Sequence, residues 1–325
     1  MISFDNVTIN KNQMNSEECM YLTDFVPRVA RVDLHKFMHQ GPGRPFLPHY
    51  RHIVRNKNAI WLPSIAVAEI QVFQNVNGIP ECKAVHLHNF KCAGNTVARS
   101  KVKGMKQLVN SRIGQLFRSE VAPSQNVFRY DDDDDNVYNE HPPTQSYPIR
   151  VFTFIRDPVS RFVSAVQQCT HFRRCDYCRD CIRRSKLNST LLVDCILNHI
   201  EKQQLTYLDR HLNPQVFSLF YQLLSFPILI DLVSIRYVSA VLDGLGRDTN
   251  LTGEAANVNR GIVRGYNLPG VSILTDDQIR RVCRLYDMDV RLVRETGLTT
   301  TLCDDPLYSD YEPWIPVLNV SSLDT

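Results

Sequence analysis

Residues Ala84 to Val109, AVHLHNFKCAGNTVARSKVKGMKQLV, decide how the chain is read. Ala84 to Phe90 is apolar and aromatic, and short enough to form a buried strand. Lys91-Cys92-Ala93-Gly94 breaks that run, and Asn95 or Thr96 can cap the helix expected to follow. A strand, a tight loop and a helix start together make an anion site. The N–H groups there lack partners, the helix dipole is positive at that end, and Lys91 adds a full charge. Gly94 lets a phosphate approach backbone that a Cβ would obstruct. An ordinary strand-to-helix turn with an exposed lysine has the same pattern, so a second motif has to decide.

That motif begins at Ile149. IRVFTFI (Ile149 to Ile155) reads as another buried strand, and Arg156-Asp157-Pro158 follows it directly. Pro158 suits a first helical position and Asp157 the cap before it. The helix then turns Val159, Phe162, Val163 and Val166 toward the core, with Ser160 and Ser164 four residues apart on another face. Arg156, as a bidentate fork, and Ser164, as a hydroxyl donor, can converge on one phosphate.

In this order and spacing the two motifs resemble the sulfotransferases, and most of all the membrane-anchored Golgi carbohydrate sulfotransferases that act on glycosaminoglycans. KCAGNT, residues Lys91, Cys92, Ala93, Gly94, Asn95 and Thr96, is similar to their loop for the 5′-phosphosulfate of 3′-phosphoadenosine 5′-phosphosulfate (PAPS). RDPVSRFVSA (Arg156 to Ala165) is similar to their 3′-phosphate motif, whose Arg and Ser match Arg156 and Ser164. The resemblance covers about Cys82 to Gly297 and implies an α/β, P-loop-like sulfotransferase fold. Alternating strands and helices point the same way, to a central parallel sheet flanked by helices on both faces, with the cofactor beyond the strands' carboxyl ends. The expected division is a variable, stem-like region over residues 1–80, the sulfotransferase domain over 81–300 with a Cys/Arg-rich insertion at 169–195, and a tail over 301–325.

The implied reaction is in-line transfer of a sulfuryl group from PAPS to a hydroxyl of a carbohydrate, an acidic glycan by family analogy, with no metal. Lys91 would stabilise the bridging oxygen. A hydroxyl acceptor needs a base. His141 stands shortly before the second strand, where heparan sulfate 2-O-sulfotransferases place a catalytic His. His211 is its rival, in a loop (Tyr207 to Gln215) similar to a His-, Pro- and Gln-bearing loop of the family, and His86 or His88 could project from the first strand. Two other readings compete: a catalytically inactive glycan-binding relative, and a P-loop phosphotransferase. The second lacks GK[ST], since Lys91 precedes the single Gly94. Nucleic-acid binding is disfavoured because the basic residues lack interleaved aromatics.

The chain has 325 residues, 43% hydrophobic, with a net charge of +3, so it can bury a large core while attraction to an acidic polymer must come from local patches. One such patch is Arg173, Arg174, Arg179, Arg183, Arg184 and Lys186, which could grip sulfate or uronate groups or simply be solvated. The same segment holds five of the ten cysteines, expected to staple a loop-rich insertion by disulfides, because C-x2-C-x2-C is too compressed for a tetrahedral zinc site. Sequons at Asn6, Asn188, Asn250 and Asn319 add to the cysteines in favour of a secretory lumen, and the resemblance places it in the Golgi. Against this, MISFDNVTINKNQ at the start has no apolar core for the family's membrane anchor, and the stretch Leu223 to Leu242 is interrupted by Asp231 and Arg236.

Asp131 to Asp135 reads as a self-repelling loop. Phe226 to Ile235 is expected to form a third core strand and Val238 to Leu245 a helix stopped near Gly244 or Gly246. Leu274 to Val293 is expected to be one helix capped by Thr275, and the tail from Leu302 to be irregular.

Overall fold

The computed structural model describes residues 22–46, 69–73, 83–89, 91–93, 96–97, 100, 102, 105–109, 149–172, 176–203, 211–216, 219, 229–247, 262–263, 266–267 and 270–314. Strand β5 (Ile149–Ile155) is the centre of an α/β arrangement, because Val151 to Ile155 are buried on both faces. It runs parallel to β3 (Lys83–Leu87) on one side and to β6 (Leu229–Ser234) on the other. These three are the strands that the sequence marks by mainly apolar runs, the pattern of strands covered on both faces.

The expectation of a parallel sheet requires correction. The sheet has six strands in the order β1-β6-β5-β3-β2-β4 and is mixed. β1 (Ala30–Asp33) pairs antiparallel with β6, β2 (Glu69–Phe73) with β3, and β4 (Met105–Val109) with β2. A parallel neighbour needs a crossover long enough to return the chain. The connection from β2 to β3 is too short for a helical return, so these two pair antiparallel, and β2 then lies between β3 and β4, which run parallel to each other across it. Two of the six strands come from the first 80 residues. Met105 to Val109 forms an edge strand of the sheet.

One sheet face packs Phe73, Ala84, Phe152, Phe154 and Val233 against Val241 and Leu242 of α5 (Val238–Gly244) and the following Leu245. A Cβ at Gly244 would lie 2.3 Å from the Phe25 ring, so this glycine serves close packing as well as the helix end. Val85, Leu87, Val151, Ile155, Ile230 and Leu232 are buried on the other face. At the β1 edge, Arg31 stands opposite Asp231 in register and donates to its carboxylate at 2.9 Å.

A second apolar cluster joins α2 (Pro158–Phe172), α3 (Asp176–Ser185), α4 (Ser189–Gln203) and α6 (Asp276–Leu285). Val159, Phe162, Val163 and Val166 face it from α2, as the spacing predicts. The Cys/Arg-rich segment is not loop-rich: it folds as the α3–α4 hairpin, closed by the disulfide Cys181–Cys195. Exposed Asn188 caps α4, its Oδ1 accepting from Leu191 N at 3.0 Å. Thr275 caps α6 in a reciprocal capping box with Gln278. The helix expected to continue to Val293 breaks at Tyr286 (φ −109°, ψ 27°), and α7 (Asp287–Thr296) starts there. The break lets the buried Tyr286 hydroxyl donate to Leu212 O at 2.5 Å. Beyond it, the disulfide Cys283–Cys303 ties the tail to α6, and α8 (Pro306–Ser309) gives that tail a helical turn. No helix among the described residues is long and apolar enough to cross a membrane.

Candidate functional site

Because β3 and β5 are adjacent and parallel, the loops at their carboxyl ends emerge side by side. The β3 loop carries Asn89 and a turn at Lys91 to Ala93; Cys92 N donates to Asn89 O at 3.1 Å. Lys91 and Ala93 both have φ of 65°, the left-handed region, which costs non-glycine residues roughly 1–2 kcal/mol each. Helical conformation resumes at Thr96, with Val97 N bonded to Ala93 O at 3.0 Å. Gly94 and Asn95 lie outside the described residues. Fully buried Cys92 and Val97 root the loop in the core beside Phe154.

The β5 loop leads into α2. Asp157 caps it: Oδ2 accepts from Ser160 N at 2.8 Å and the carbonyl from Arg161 N at 2.9 Å, with Pro158 opening the first turn. Arg156 donates from Nε to Ser160 Oγ at 3.4 Å. Ser164, one turn further on the same helix, is buried. The Arg156 guanidinium therefore lies along the helix face that carries Ser160 and Ser164, where its described partner is Ser160. One further turn along, Gln168 Oε1 accepts from Lys91 Nζ at 3.1 Å, bringing the β3 loop's cation onto α2.

These two cations are desolvated and paired with neutral groups. Among the described residues, neither Lys91 nor Arg156 makes an ion pair with a carboxylate, whereas other arginines do so repeatedly. Burial, then the nearby Arg156, pushes Lys91 down to about 8. Burial also lowers Arg156. Like charges held together in a low-dielectric recess raise the free energy of the empty site and favour an arriving anion. Burial raises the Cys92 thiol to about 11, so it stays protonated as a donor.

A third segment, residues 211–216, closes the arrangement. Gln215 is fully buried. Its Oε1 accepts from Arg156 N and from the Cys92 thiol, each at 3.0 Å, and its Nε2 donates to Arg156 O at 2.8 Å. Its backbone N donates to Asp289 Oδ2 at 2.8 Å, and Val216 N to Asp289 Oδ1 at 2.9 Å. Burial raises the Asp289 carboxyl, while Arg161 and the two N–H groups oppose that shift. Half-buried His211 stands in the same segment.

Around this junction Asn89 Oδ1, Asp157 Oδ1 and both amide atoms of Asn213 are buried without a hydrogen-bond partner. Buried polar atoms normally have partners, so their gathering on three neighbouring segments fits a place that binds a polar ligand. His86, by contrast, faces the apolar side of the sheet. Its ring lies 5.2 Å from that of Phe152 and 5.6 Å from that of Phe154, and burial keeps it well below the ordinary histidine range, hence neutral. His88 is buried at the strand end. His141 lies outside the described residues, as do Asp131 to Asp135, Arg173, Arg174, and the sequons at Asn6, Asn250 and Asn319.

Asn89, Gln168 and Asp289 help carry the junction and were not singled out by sequence; Gln215 belongs to the Tyr207-to-Gln215 loop, which the resemblance puts next to the nucleotide and acceptor. No protein-family model matches the chain, and neither the curated proteins nor the solved structures contain a match.

Proposed function

We propose that the chain is a PAPS-dependent carbohydrate sulfotransferase of P-loop-like fold. The observation that carries this reading is the pair of buried cations, Lys91 and Arg156, on adjacent loops, whose described side-chain hydrogen-bond partners are the neutral Gln168 and Ser160. Two anion-receptive loops on neighbouring parallel strands suit a ligand with phosphate at both ends of a nucleoside. Lys91 and the β3 loop take the 5′-phosphosulfate; Arg156 and Ser164 take the 3′-phosphate and so separate PAPS from ordinary adenine nucleotides.

In the transfer, an acceptor oxygen bonds to sulfur as the bond from sulfur to the bridging oxygen breaks. The hydroxyl proton passes to a base, and 3′-phosphoadenosine 5′-phosphate leaves. Lys91 holds its ammonium toward that bridging oxygen as charge builds there, which preorganised donors stabilise by roughly 3 kcal/mol. The low proton affinity of Lys91 also suits it to donate to the leaving oxygen. His211 is the base candidate within the described residues, and His141 the other. The acceptor is a glycan, an acidic polysaccharide by the resemblance, which also implies a Golgi setting; the disulfides fit an oxidising lumen.

The test is transfer of labelled sulfate from PAPS onto a panel of desulfated glycosaminoglycans. Incorporation by the wild type, and its loss in Lys91→Ala, is expected. A folded wild-type protein that binds PAPS yet labels none of the panel would contradict the transferase reading and favour an inactive, glycan-binding relative.

A further inference from the structure

We propose that Gln215 is a positioning residue that fixes the spacing between the two anion loops, so that one ligand can engage both at once. This rests on reading the site as one for a nucleoside bisphosphate. The side chain has one acceptor oxygen and one amide donor group, and the structure uses both across the junction. Oε1 takes the N–H of Arg156 from the β5 loop and the thiol of Cys92 from the β3 loop, at 3.0 Å each. Nε2 returns a bond of 2.8 Å to Arg156 O, so the amide and the Arg156 peptide unit pair reciprocally. Asp289, from α7, holds the backbone of Gln215 and Val216 through both carboxylate oxygens and so anchors the clasp to the rigid helical layer.

The consequence concerns two-point binding. When two subsites are held at the separation of a ligand's two anionic ends, the second contact forms at high effective concentration. If the spacing wanders, that gain is lost while each subsite keeps its own affinity. The described bonds of the Gln215 side chain to the two loops go to the Arg156 backbone and the Cys92 thiol, while the Lys91 ammonium and the Arg156 guanidinium bond to Gln168 and Ser160. Its replacement should therefore leave single-phosphate binding nearly unchanged and weaken bisphosphate binding selectively. A residue that only stabilised the fold would have no such preference.

The experiment is calorimetric binding of three ligands to the full chain: adenosine 3′,5′-bisphosphate, adenosine 5′-monophosphate and adenosine 3′-monophosphate. Wild type is compared with Gln215→Met, which keeps the length and apolar bulk but removes all three side-chain bonds. The expected result is a loss of tenfold or more for the bisphosphate and of no more than twofold for either monophosphate. Equal losses for all three ligands, or none, in folded Gln215→Met would overturn the proposal. Cys92→Ala, which removes the bond between Gln215 and the β3 loop together with the thiol's contact with Arg161, serves if Gln215→Met does not fold; it should show the same selectivity at about threefold, and an unselective change would overturn the proposal too. A wild type that binds the bisphosphate no better than the monophosphates defeats the nucleotide reading itself, which separates that failure from failure of the clasp.

Discussion

Arginine and lysine occur in two very different settings in this protein. On α3, exposed Arg183 and Arg184 both reach Asp180, one and the same carboxylate, in water. At the loop junction, Lys91 and Arg156 are mostly buried, and their described side-chain partners are the neutral Gln168 and Ser160. By sequence the first region holds the greater number of cations, and they suit either a grip on an acidic glycan or plain solvation. In the structure Arg183 and Arg184 already share a carboxylate, while Lys91 and Arg156 do not. Charge in water is screened and half-neutralised, whereas charge taken out of water without a counterion is strongly felt by a ligand.

The comparison breaks most sharply at Lys91. Lys91→Ala should lower sulfate transfer by about 100-fold or more, measured as kcat with labelled PAPS. Lys91→Met, with the loss of a desolvated charge, should at the same time raise stability in urea unfolding at pH 7 by about 2 kcal/mol. The sign follows from protons. Folded Lys91 titrates at about 8, below its ordinary 10.5, so the unfolded chain binds more protons between those values. The penalty is therefore complete below pH 8 and fades as pH rises toward 10.5. A Lys91→Met protein that is less stable at pH 7 would show that the ammonium is compensated after all.

Asp289→Asn sharpens the other half of the contrast, the neutral scaffold beneath the cations. The carboxylate accepts two buried backbone N–H groups, and an amide offers only one oxygen, leaving one N–H facing a donor. Urea unfolding should show a loss of about 2–3 kcal/mol. Breaking Cys181–Cys195 with paired Cys→Ser changes removes a staple from the α3–α4 hairpin instead. The expected stability loss is also about 2–3 kcal/mol by loop closure, with nucleotide affinity unchanged. The smallest effect belongs to the exposed arginines: Arg183→Ala should shift stability by no more than about 0.5 kcal/mol and nucleotide affinity not at all.

What sequence revealed, and what it hid, follows the range of each interaction. β3, β5 and β6 are mainly apolar runs, and Asp157-Pro158 and Thr275 are caps acting within a few residues, so local pattern suffices for them. β1, β2 and β4 are short outer strands whose existence depends on a neighbour being there to pair. The helix break at Tyr286 is set by a hydroxyl bond to Leu212, and nothing in the intact apolar period forecasts it. The place of Lys91 and Arg156 just beyond the ends of two core strands was legible, because each follows a mainly apolar run directly. The loop of Gln215 was legible only through the resemblance, and Asp289 not at all, since their partners lie 59 to 123 positions away.

The direct check on the two buried cations is calorimetry of 3′-phosphoadenosine 5′-phosphate near pH 8, in two buffers of different ionisation enthalpy, with wild type, Arg156→Ala and Arg183→Ala. The bound anion should draw Lys91 back toward its ordinary proton affinity. Binding should then take up a proton, and affinity should fall as pH rises above about 8. Arg156→Ala should weaken binding tenfold or more, about 1.4 kcal/mol, and Arg183→Ala should match wild type. Binding without proton uptake, or equal losses from the two arginine substitutions, would contradict the claim that the buried pair holds the anion.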